Sequence, residues 1–244
     1  MSDAVLDPDS GLPIGQEVSC HPAIAPSACV LDGHRIRLEP LNRDAHTESL
    51  WSQTHGPDQN AVWQYLFETP FENIAAFADH VGRKAASLDP LFFAIINKET
   101  NKAVGYETLM RIDVQHRCIE VGNILYGADL RGTAAATEAQ YLLMRYVFDD
   151  LGFRRYEWKC NALNAPSRRA ALRFGFSFEG VFRQHMLVRG RSRDTAWFSM
   201  LYDEWVRIKP AYEAWLAPGN FGPNGQQKQS LQELRDAFDK AGRP

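Results

Sequence analysis

The stretch Ile124–Ala139, ILYGADLRGTAAATEA, indicates the fold of this 244-residue chain most clearly. The end of a predicted strand runs into a loop of small residues, and the loop opens a long predicted helix over about Thr133–Asp150. Free N–H groups and the dipole at a helix start attract anions, and small residues let the backbone approach a phosphate. Arg131 stands at the rim of the loop. The stretch therefore predicts a phosphate site, although it also fits an ordinary helix start packed by small side chains. It is neither a GK[ST] loop nor a GxGxxG loop.

A second motif occupies Asn164–Phe176, NAPSRRAALRFGF. Asn164 is a favourable N-cap for a short predicted helix over Ala165–Phe174, and Gly175 provides its stop. The helix also carries a local basic patch, which fits either a solvated helix face or a contact with a phosphate. The arginines of this patch are Arg168, Arg169 and Arg173.

Elsewhere the chain alternates predicted hairpins with predicted helices. The predicted strands are His34–Glu39, Leu91–Asn97, Ala103–Ile112, Cys118–Tyr126, Tyr156–Asn161, Phe178–Val188 and Asp194–Tyr202. The predicted helices are Asn42 to about Trp51, Phe71–Ala86, Thr133–Asp150, Ala165–Phe174, Glu204–Leu216 and Ser230–Ala241. This order implies an α/β (mixed α+β) fold with a mixed sheet and helices on both faces.

We divide the chain into three parts. Residues 1–30 are rich in Pro, Ser, Asp and Gly, and we expect a partly disordered N-terminal extension there. Residues 31–203 form the predicted domain. Residues 204–244 hold a further helix, a Gly- and Pro-rich linker and an amphipathic tail helix, which is expected to dock on the domain or on a partner.

Composition narrows the classes of function. The net charge of -3 gives no basic field for bulk nucleic-acid binding. No apolar run approaches ~18 residues and the N-terminus lacks an apolar core, so neither a membrane span nor a signal peptide is expected. The scattered cysteines predict reduced thiols in a cytoplasmic protein and no metal site, with a surface disulfide between Cys20 and Cys29 as the minor alternative. The four cysteines are Cys20, Cys29, Cys118 and Cys160.

The first motif resembles a cofactor loop of a known family. Arg131–Ala136 is similar to the (Q/R)-x-x-G-x-(G/A) loop of GNAT acetyltransferases, which cradles the pyrophosphate of CoA, and Ala134 stands where the family usually has Gly. The following Thr137–Ala139 is similar to the T-E-A of RimJ/RimL-type members. The second motif resembles the N-x-x-S segment of the same branch, in which Asn164 would contact the pantetheine arm and Ser167 would lie near the thioester sulfur.

The resemblance covers about residues 31–203. It implies a GNAT-like fold with a mostly antiparallel central sheet, acetyl-CoA as cosubstrate and no metal. It further implies acetyl transfer to a primary amine of a small molecule or of a peptide N-terminus, by a monomer or a homodimer. The residues expected to contact CoA are Ile124, Leu125, Tyr126, Arg131, Gly132, Thr133, Ala134, Ala135, Ala136, Thr137, Asn164, Ser167 and Arg168.

Direct attack of an amine on a thioester needs a base, a donor for the oxyanion and a proton donor near sulfur. We expect Ser167 to be the donor near sulfur and the backbone around Leu125 to serve the oxyanion. Glu120 is the candidate base, with Glu107, His185 or a water chain as alternatives. Aromatic residues of the first two helices and the final hairpin are expected to pack in the core or to line an acceptor slot. They are Trp51, Trp63, Tyr65, Phe67, Phe71, Trp197 and Phe198.

Two features leave alternatives open. Ala134 in the loop and the lack of an obvious base are compatible with a non-catalytic acyl-CoA-binding or regulatory module. The amphipathic helix Ser230–Ala241 is compatible with a scaffold that recruits a partner and binds no CoA.

Overall fold

The computed structural model describes residues 4–18, 21–57 and 59–241, so the expectations for Cys20 and for the ends of both terminal extensions lie partly outside the described residues. The strands are β1 (Val5–Leu6), β2 (Pro13–Ile14), β3 (Leu31–Asp32), β4 (Ile36–Pro40), β5 (Leu91–Asn97), β6 (Lys102–Asp113), β7 (Cys118–Tyr126), β8 (Arg155–Asn161), β9 (Ser177–Val188) and β10 (Arg191–Leu201). The helices are α1 (Arg43–Thr54), α2 (Ile74–Ala85), α3 (Ala134–Arg145), α4 (Ala165–Phe174), α5 (Tyr202–Leu216) and α6 (Leu231–Ala241).

Eight strands form one sheet in the order β3-β4-β5-β6-β7-β8-β10-β9, while β1 pairs with β2 apart from it. Neighbours in the large sheet are antiparallel except β7 and β8, which are parallel. Helix α3 provides the crossover that a parallel pair requires. Helices α1 and α2 pack on one face of the sheet, and α3 and α5 pack on the other. The expected mixed, mostly antiparallel sheet with helices on both faces is confirmed.

Several boundaries follow directly from local chemistry. Strands β5 and β7 and helix α4 begin and end where the sequence predicts. Asn42 caps α1 by accepting hydrogen bonds from the N–H groups of Asp44 and Ala45, both at 2.9 Å. Helix α2 begins later than predicted because Asn73 is its cap, accepting from the Ala76 N–H at 2.9 Å. The long helix predicted to end at Asp150 changes form after Arg145, where Tyr146–Asp150 continues as a π-helical turn.

The end of the N-terminal extension and the C-terminal helix both contact the domain. The N–H of Ala23 donates to the Val114 carbonyl and the N–H of Ile24 to the Leu151 carbonyl, both at 2.9 Å. At the other end, α6 packs against α5 and buries Leu231 and Leu234 in the main core. None of the helices in the described ranges combines the length and hydropathy needed to cross a bilayer.

The feature that positions the site is the divergence of β7 and β8. The two strands are paired from Cys118 and Arg155 to Val121 and Trp158, and beyond that point they separate. A β-bulge accompanies the separation, because two residues of β7, Asn123 and Ile124, stand opposite a single residue of β6. Asn123 has a φ of 46°, which turns the backbone locally. A gap therefore opens inside an otherwise continuous sheet.

The loop after β7 is held by the end of α1. Gln53 accepts from the Asp129 N–H at 3.0 Å and donates to the Asp129 carboxylate at 2.7 Å. Gly127 sits where this contact is closest: a Cβ there would lie 2.6 Å from Gln53 Cβ and 2.7 Å from the Val104 carbonyl oxygen. Only glycine fits without a shift of helix or strand.

We expect Gly127→Ala to lower the free energy of unfolding by about 1–3 kcal/mol, since overpacking of a tight contact forces the backbone apart. Gly219→Ala is the matched control, because a Cβ at Gly219 meets no atom within 4 Å. Urea unfolding of both variants measures the difference. Equal midpoints for the two variants would show that α1 does not constrain the loop.

Candidate active site

A cavity of about 1130 Å³ fills the gap between the diverging strands. At one end the cavity passes the start of α3 and reaches the C-terminal segment. At the other end it lies among charged residues of β6, β7, β8 and β10. Most of the sequence-predicted site residues meet in its wall. Those that line it are Glu120, Ile124, Tyr126, Arg131, Gly132, Thr133, Ala134, Ala136, Thr137, Asn164 and Ser167.

Three residues expected to contact CoA do not line the cavity. The side chain of Leu125 is buried in the core on the α1–α2 side of the sheet, since alternation along β7 turns it away. Ala135 packs its methyl group against the main core. Arg168 is exposed and donates to the Ala162 carbonyl at 3.3 Å. Side-chain contacts to a ligand in this cavity therefore come from the other members of the two motifs.

The start of α3 presents free donors to the cavity. Thr133 caps the helix by accepting from the Ala136 N–H at 3.3 Å. Within the described residues, no hydrogen bond takes up the N–H groups of Gly132, Ala134 or Ala135. Gly132 has a φ of +76°, and a Cβ there would meet no atom within 4 Å, so the loop is open on the side of the cavity. Donors of this kind, with Arg131 beside them, fit a pyrophosphate.

The start of α4 places a hydroxyl in the opposite wall. Asn164 accepts from the Ser167 N–H at 3.1 Å, which confirms its predicted capping role. The Trp158 indole N–H donates to Ser167 Oγ at 3.0 Å. This bond uses a lone pair of the oxygen, and the Cys160 side chain also lies within hydrogen-bonding reach of Ser167, so the hydroxyl hydrogen can point to the Cys160 sulfur or into the cavity.

Glu120 lies at the base of the gap and is 4% exposed. Its carboxylate is 2.9 Å from Lys159 Nζ and 3.0 Å from Arg111 Nε. Burial raises the pKa of Glu120, while Lys159 and Arg111 oppose the rise. Lys159 also contacts Glu157 at 2.7 Å and lies 3.9 Å from the centre of the Trp197 ring.

Lys159 and Arg111 were not among the residues predicted to act at the site. Alternation along β8 sets Glu157, Lys159 and Asn161 on one face, which is a signal that the sequence contains. Arg111 carries no such signal, because its position depends on the bulged pairing of β6 with β7 and on its own φ of 51°.

The two alternative bases are placed differently. Glu107 is fully buried and does not line the cavity. It accepts a hydrogen bond at 2.6 Å from the hydroxyl of Tyr126, and Tyr126 lines the cavity. Gln140 also donates to the same oxygen at 2.6 Å. Burial raises the pKa of Glu107 to about 7, and the two hydrogen bonds oppose the rise. His185 lines the cavity, is exposed and has its Nδ1 3.0 Å from Thr195 Oγ1.

The aromatic residues expected near the acceptor divide between core and cavity. Tyr65 and Phe67 line the cavity. Trp51, Trp63 and Phe71 belong instead to the core between α1, α2 and the sheet, so for them the acceptor-slot alternative is wrong. They pack there against Phe77 and the ring of His55, because the apolar faces of two amphipathic helices need close-packed side chains between them and the sheet.

The C-terminal segment closes the far end of the cavity, beyond the start of α3. Trp215, Phe221 and Gln227 line this end together with Arg173 of α4. The guanidinium of Arg173 lies 5.4 Å from the centre of the Trp215 ring and donates to Thr137 Oγ1 at 2.9 Å. Aromatic faces beside a cation suit a flat ring that carries a phosphate. Nothing in the described residues groups three or more His, Cys, Asp or Glu as a metal site.

Known proteins share the sequence pattern and the fold of this chain. A family model for the acetyltransferase (GNAT) domain matches residues 35–177. An N-acetyltransferase of Bacillus licheniformis, called p20, is 31% identical over 59% of this chain and 83% of its own. A crystal structure of a GCN5-related N-acetyltransferase from Brucella melitensis superposes with a TM-score of 0.87 at 51% identity, covering 88% of this chain and 98% of the other. MccE, a self-immunity acetyltransferase solved with acetyl-CoA and AMP, shares the fold at 23% identity and a TM-score of 0.61, over 69% and 93% of the two chains.

The chain therefore belongs to the GNAT family of acetyltransferases. It is an N-acetyltransferase by family, as the sequence predicted.

The buried carboxyl of Glu107 makes stability depend on pH. Below its usual pKa of 4.5 the folded and unfolded chains both hold the proton. Between 4.5 and about 7 the unfolded chain releases a proton that the folded chain keeps, so rising pH destabilises the fold until the folded group also ionises. We expect Glu107→Gln to be more stable than the wild type at pH 8, by about 3 kcal/mol at most, with the advantage shrinking towards pH 4.5.

Urea unfolding across this pH range measures the advantage. Glu99→Gln, at an exposed turn position, is the control and should show no such pH-dependent gain. A Glu107→Gln variant that is less stable than the wild type at pH 8 would mean that the ionised carboxylate is required by Tyr126 and Gln140.

Proposed function

We propose that this protein transfers an acetyl group from acetyl-CoA to an amine by direct attack. The observation that carries the proposal is one continuous cavity that joins free N–H donors at the start of α3 to a buried carboxylate at the base of the gap. One end suits an anionic cosubstrate, and the other suits proton removal from an acceptor. Acetyl-CoA is bound by MccE, which has the same fold, and this supports the choice of cosubstrate.

The residues present fit CoA along the length of the cavity. The free N–H groups of Gly132, Ala134 and Ala135, with Arg131, would hold the pyrophosphate. The edges of β7 and β8 that separate beyond Val121 and Trp158 offer backbone groups to the pantetheine arm. Ala134 is compatible with this placement, since its side chain packs partly against the core.

The chemistry needs few groups from the protein. A bond forms between the amine nitrogen and the thioester carbon while the carbon–sulfur bond breaks, and the sulfur leaves with the bonding electrons. Glu120, directly or through water, would take the proton that the amine loses. Backbone N–H groups at the Asn123–Ile124 bulge would face the carbonyl oxygen as negative charge develops there. Ser167 would turn its hydroxyl hydrogen from Cys160 to the thioester sulfur.

The Glu120 environment fits a reversible proton acceptor. Burial favours the protonated carboxyl, whereas Lys159 and Arg111 favour the carboxylate. Because these effects oppose each other, neither the protonated nor the ionised form of Glu120 is strongly favoured, so the carboxylate can accept a proton and release it again. His185 is the second candidate, because it lines the same end of the cavity.

The finer assignment to the RimJ/RimL-type branch is supported by the Thr137–Ala139 and Asn164–Ser167 motifs. A non-catalytic CoA-binding module is the alternative, and no relative found in the comparisons favours it.

Acetyl-CoA binding and turnover test the proposal together. We expect acetyl-CoA at 100 times its dissociation constant to stabilise the fold by about 2.7 kcal/mol. Thiol release in the presence of an amine panel then measures transfer. Arg131→Ala should weaken CoA binding by about 1–3 kcal/mol, whereas Arg207→Ala, an exposed position on α5, should not. No rise in melting temperature at millimolar acetyl-CoA would count against the enzyme, and binding without thiol release would favour the non-catalytic module.

Ser167→Ala separates a proton donor from a capping residue. The variant keeps the cap, because the Asn164 side chain bonds the Ser167 backbone N–H rather than its hydroxyl. Water in the cavity can replace the hydroxyl beside Trp158, so stability should stay within about 1 kcal/mol. We expect kcat to fall by roughly 10–100-fold with little change in CoA affinity, since the bond strengthens only as charge develops on sulfur.

The control is Ser52→Ala, whose hydroxyl donates to the Ser49 carbonyl of its own helix at 2.8 Å and, among the described residues, to no other group. Calorimetric titration with CoA and steady-state kinetics measure the two quantities. An unchanged kcat in Ser167→Ala would leave this hydroxyl with a packing role only.

A further inference from the structure

A second cavity of about 570 Å³ opens beside the charged end of the large one. The two cavities share part of their walls, namely Tyr65, Leu66, Asn161 and Arg193. A group held in the smaller cavity would therefore adjoin the end of the large cavity where we place the acceptor amine. We call this smaller space the side cavity.

The side cavity is cationic. Arg189, Arg191 and Arg193 line it, and none of its described lining residues is acidic. The tight turn at Arg189 and Gly190, with φ values of 50° and 71°, brings β10 back along β9. Arg191 and Arg193 are two residues apart on β10 and so project from the same face. Across the described part of the chain, none of the three arginines forms an ion pair with a carboxylate.

Arg193 is the least satisfied of the three. Its Nε is buried and has no hydrogen-bond partner among the described residues. The guanidinium lies 5.5 Å from the centre of the Phe67 ring, which orients it without neutralising it. Burial lowers the pKa of Arg193, whereas Cys160 and Glu120 oppose the effect. The buried Nε holds no ligand itself, but Arg193 lines both cavities without a carboxylate partner among the described residues, so the terminal N–H groups of its guanidinium can donate to a planar anionic group there.

Arg189 contributes a second positive charge at a fixed position in the side cavity. Its Nη2 donates to the Gln64 carbonyl oxygen, so the side chain is anchored across the mouth while its charge stays uncompensated. Arg191 is exposed at the rim of the side cavity, so its position is equally explained by an ordinary solvated basic surface that binds no ligand. Arg193 does not fit that explanation, because it lies on the wall shared with the large cavity and holds the buried unpaired atom.

We propose that the acceptor is an amine that also carries an anionic group, a carboxylate or a phosphate, and that Arg193 binds this group with help from Arg189. This inference rests on the proposed acetyl transfer and narrows its acceptor class. The transfer step is unchanged: the amine nitrogen is acylated, the thiol is released, and the anionic group is only held. Charge-assisted bidentate contact is the chemistry that arginine provides for both kinds of anion.

Matched acceptors test the proposal. The first pair is 5-aminopentanoate and its carboxamide, and the second is a long aminoalkyl phosphate and the corresponding amino alcohol. The spacer keeps the basicity of the amine nearly equal within each pair. Thiol release gives kcat/KM for each compound, and the ratio within a pair cancels any difference in active enzyme concentration. We expect the anionic member of at least one pair to be better by about 10–100-fold in the wild type.

Variants of the arginine locate the effect. Arg193→Gln should reduce the ratio to within about threefold of unity, mainly through KM, while Arg193→Lys should retain much of it. Arg183→Gln, an exposed arginine of β9 that lines neither cavity, should keep the wild-type ratio. Inorganic phosphate, added to protein saturated with CoA, should raise the melting temperature of the wild type and not of Arg193→Gln.

Equal use of both members of each pair by the wild type, or a ratio that survives in Arg193→Gln, would overturn the inference while leaving acetyl transfer intact. If no amine is acetylated, the proposed function fails instead. The comparison of melting temperatures with 5-aminopentanoate and its carboxamide then still decides whether the side cavity selects an anion.

Discussion

Strands β7 and β8 are the one parallel pair in the large sheet, and their pairing stops at Val121 and Trp158. Parallel strands need a crossover, and here the crossover is α3, which must start at the end of β7. Because the strands then separate, the start of α3 faces an open gap rather than a neighbouring strand. The unpaired strand edges and the cavity follow from this divergence, and it leaves the N–H groups that are free at any helix start facing the gap.

Charge is concentrated where the two strands part. Lys159 forms ion pairs with both Glu120 and Glu157. Arg155 in turn pairs with Glu157 and Glu179, which extends the ion-pair network. Each pair by itself would recover little more than its desolvation cost, but removal of one member would leave a buried charge unpaired. The network therefore fixes the positions of the groups at the base of the cavity. Beyond it, towards β10, positive charge is no longer balanced within the described residues.

The C-terminal segment lies outside the matched family domain but completes the same cavity. Trp215 and Phe221 are held in place by a cation on each side, Arg173 against the first ring and Arg35 against the second. Helix α6 fixes this segment from behind through Arg235, which donates to the carbonyls of α4. The cavity is thus built by both the shared domain and an addition to it.

The sequence by itself determined most of the helices and strands, and also the loop and helix start at which we place the phosphates of CoA. Helix caps such as Asn42 and Asn164, the apolar run of β5 and the small residues after β7 act over a few neighbouring positions, so their consequences are visible in the chain. It also carried the resemblance to acetyltransferases that the family match confirms. Where a helix is capped or a strand is buried depends on local chemistry, and local chemistry is what a sequence displays.

Only the tertiary structure decided the charged end. The alternation of β8 shows which face Lys159 shares with Glu157, but its meeting with Arg111 and Arg193 depends on bulges and on the register of β6, β7, β8 and β10. The same applies to Glu107, whose burial beneath Tyr126 requires β6, β7 and α3 together. A one-residue change of register would turn each of these side chains to the opposite face of the sheet, and no local pattern encodes that choice.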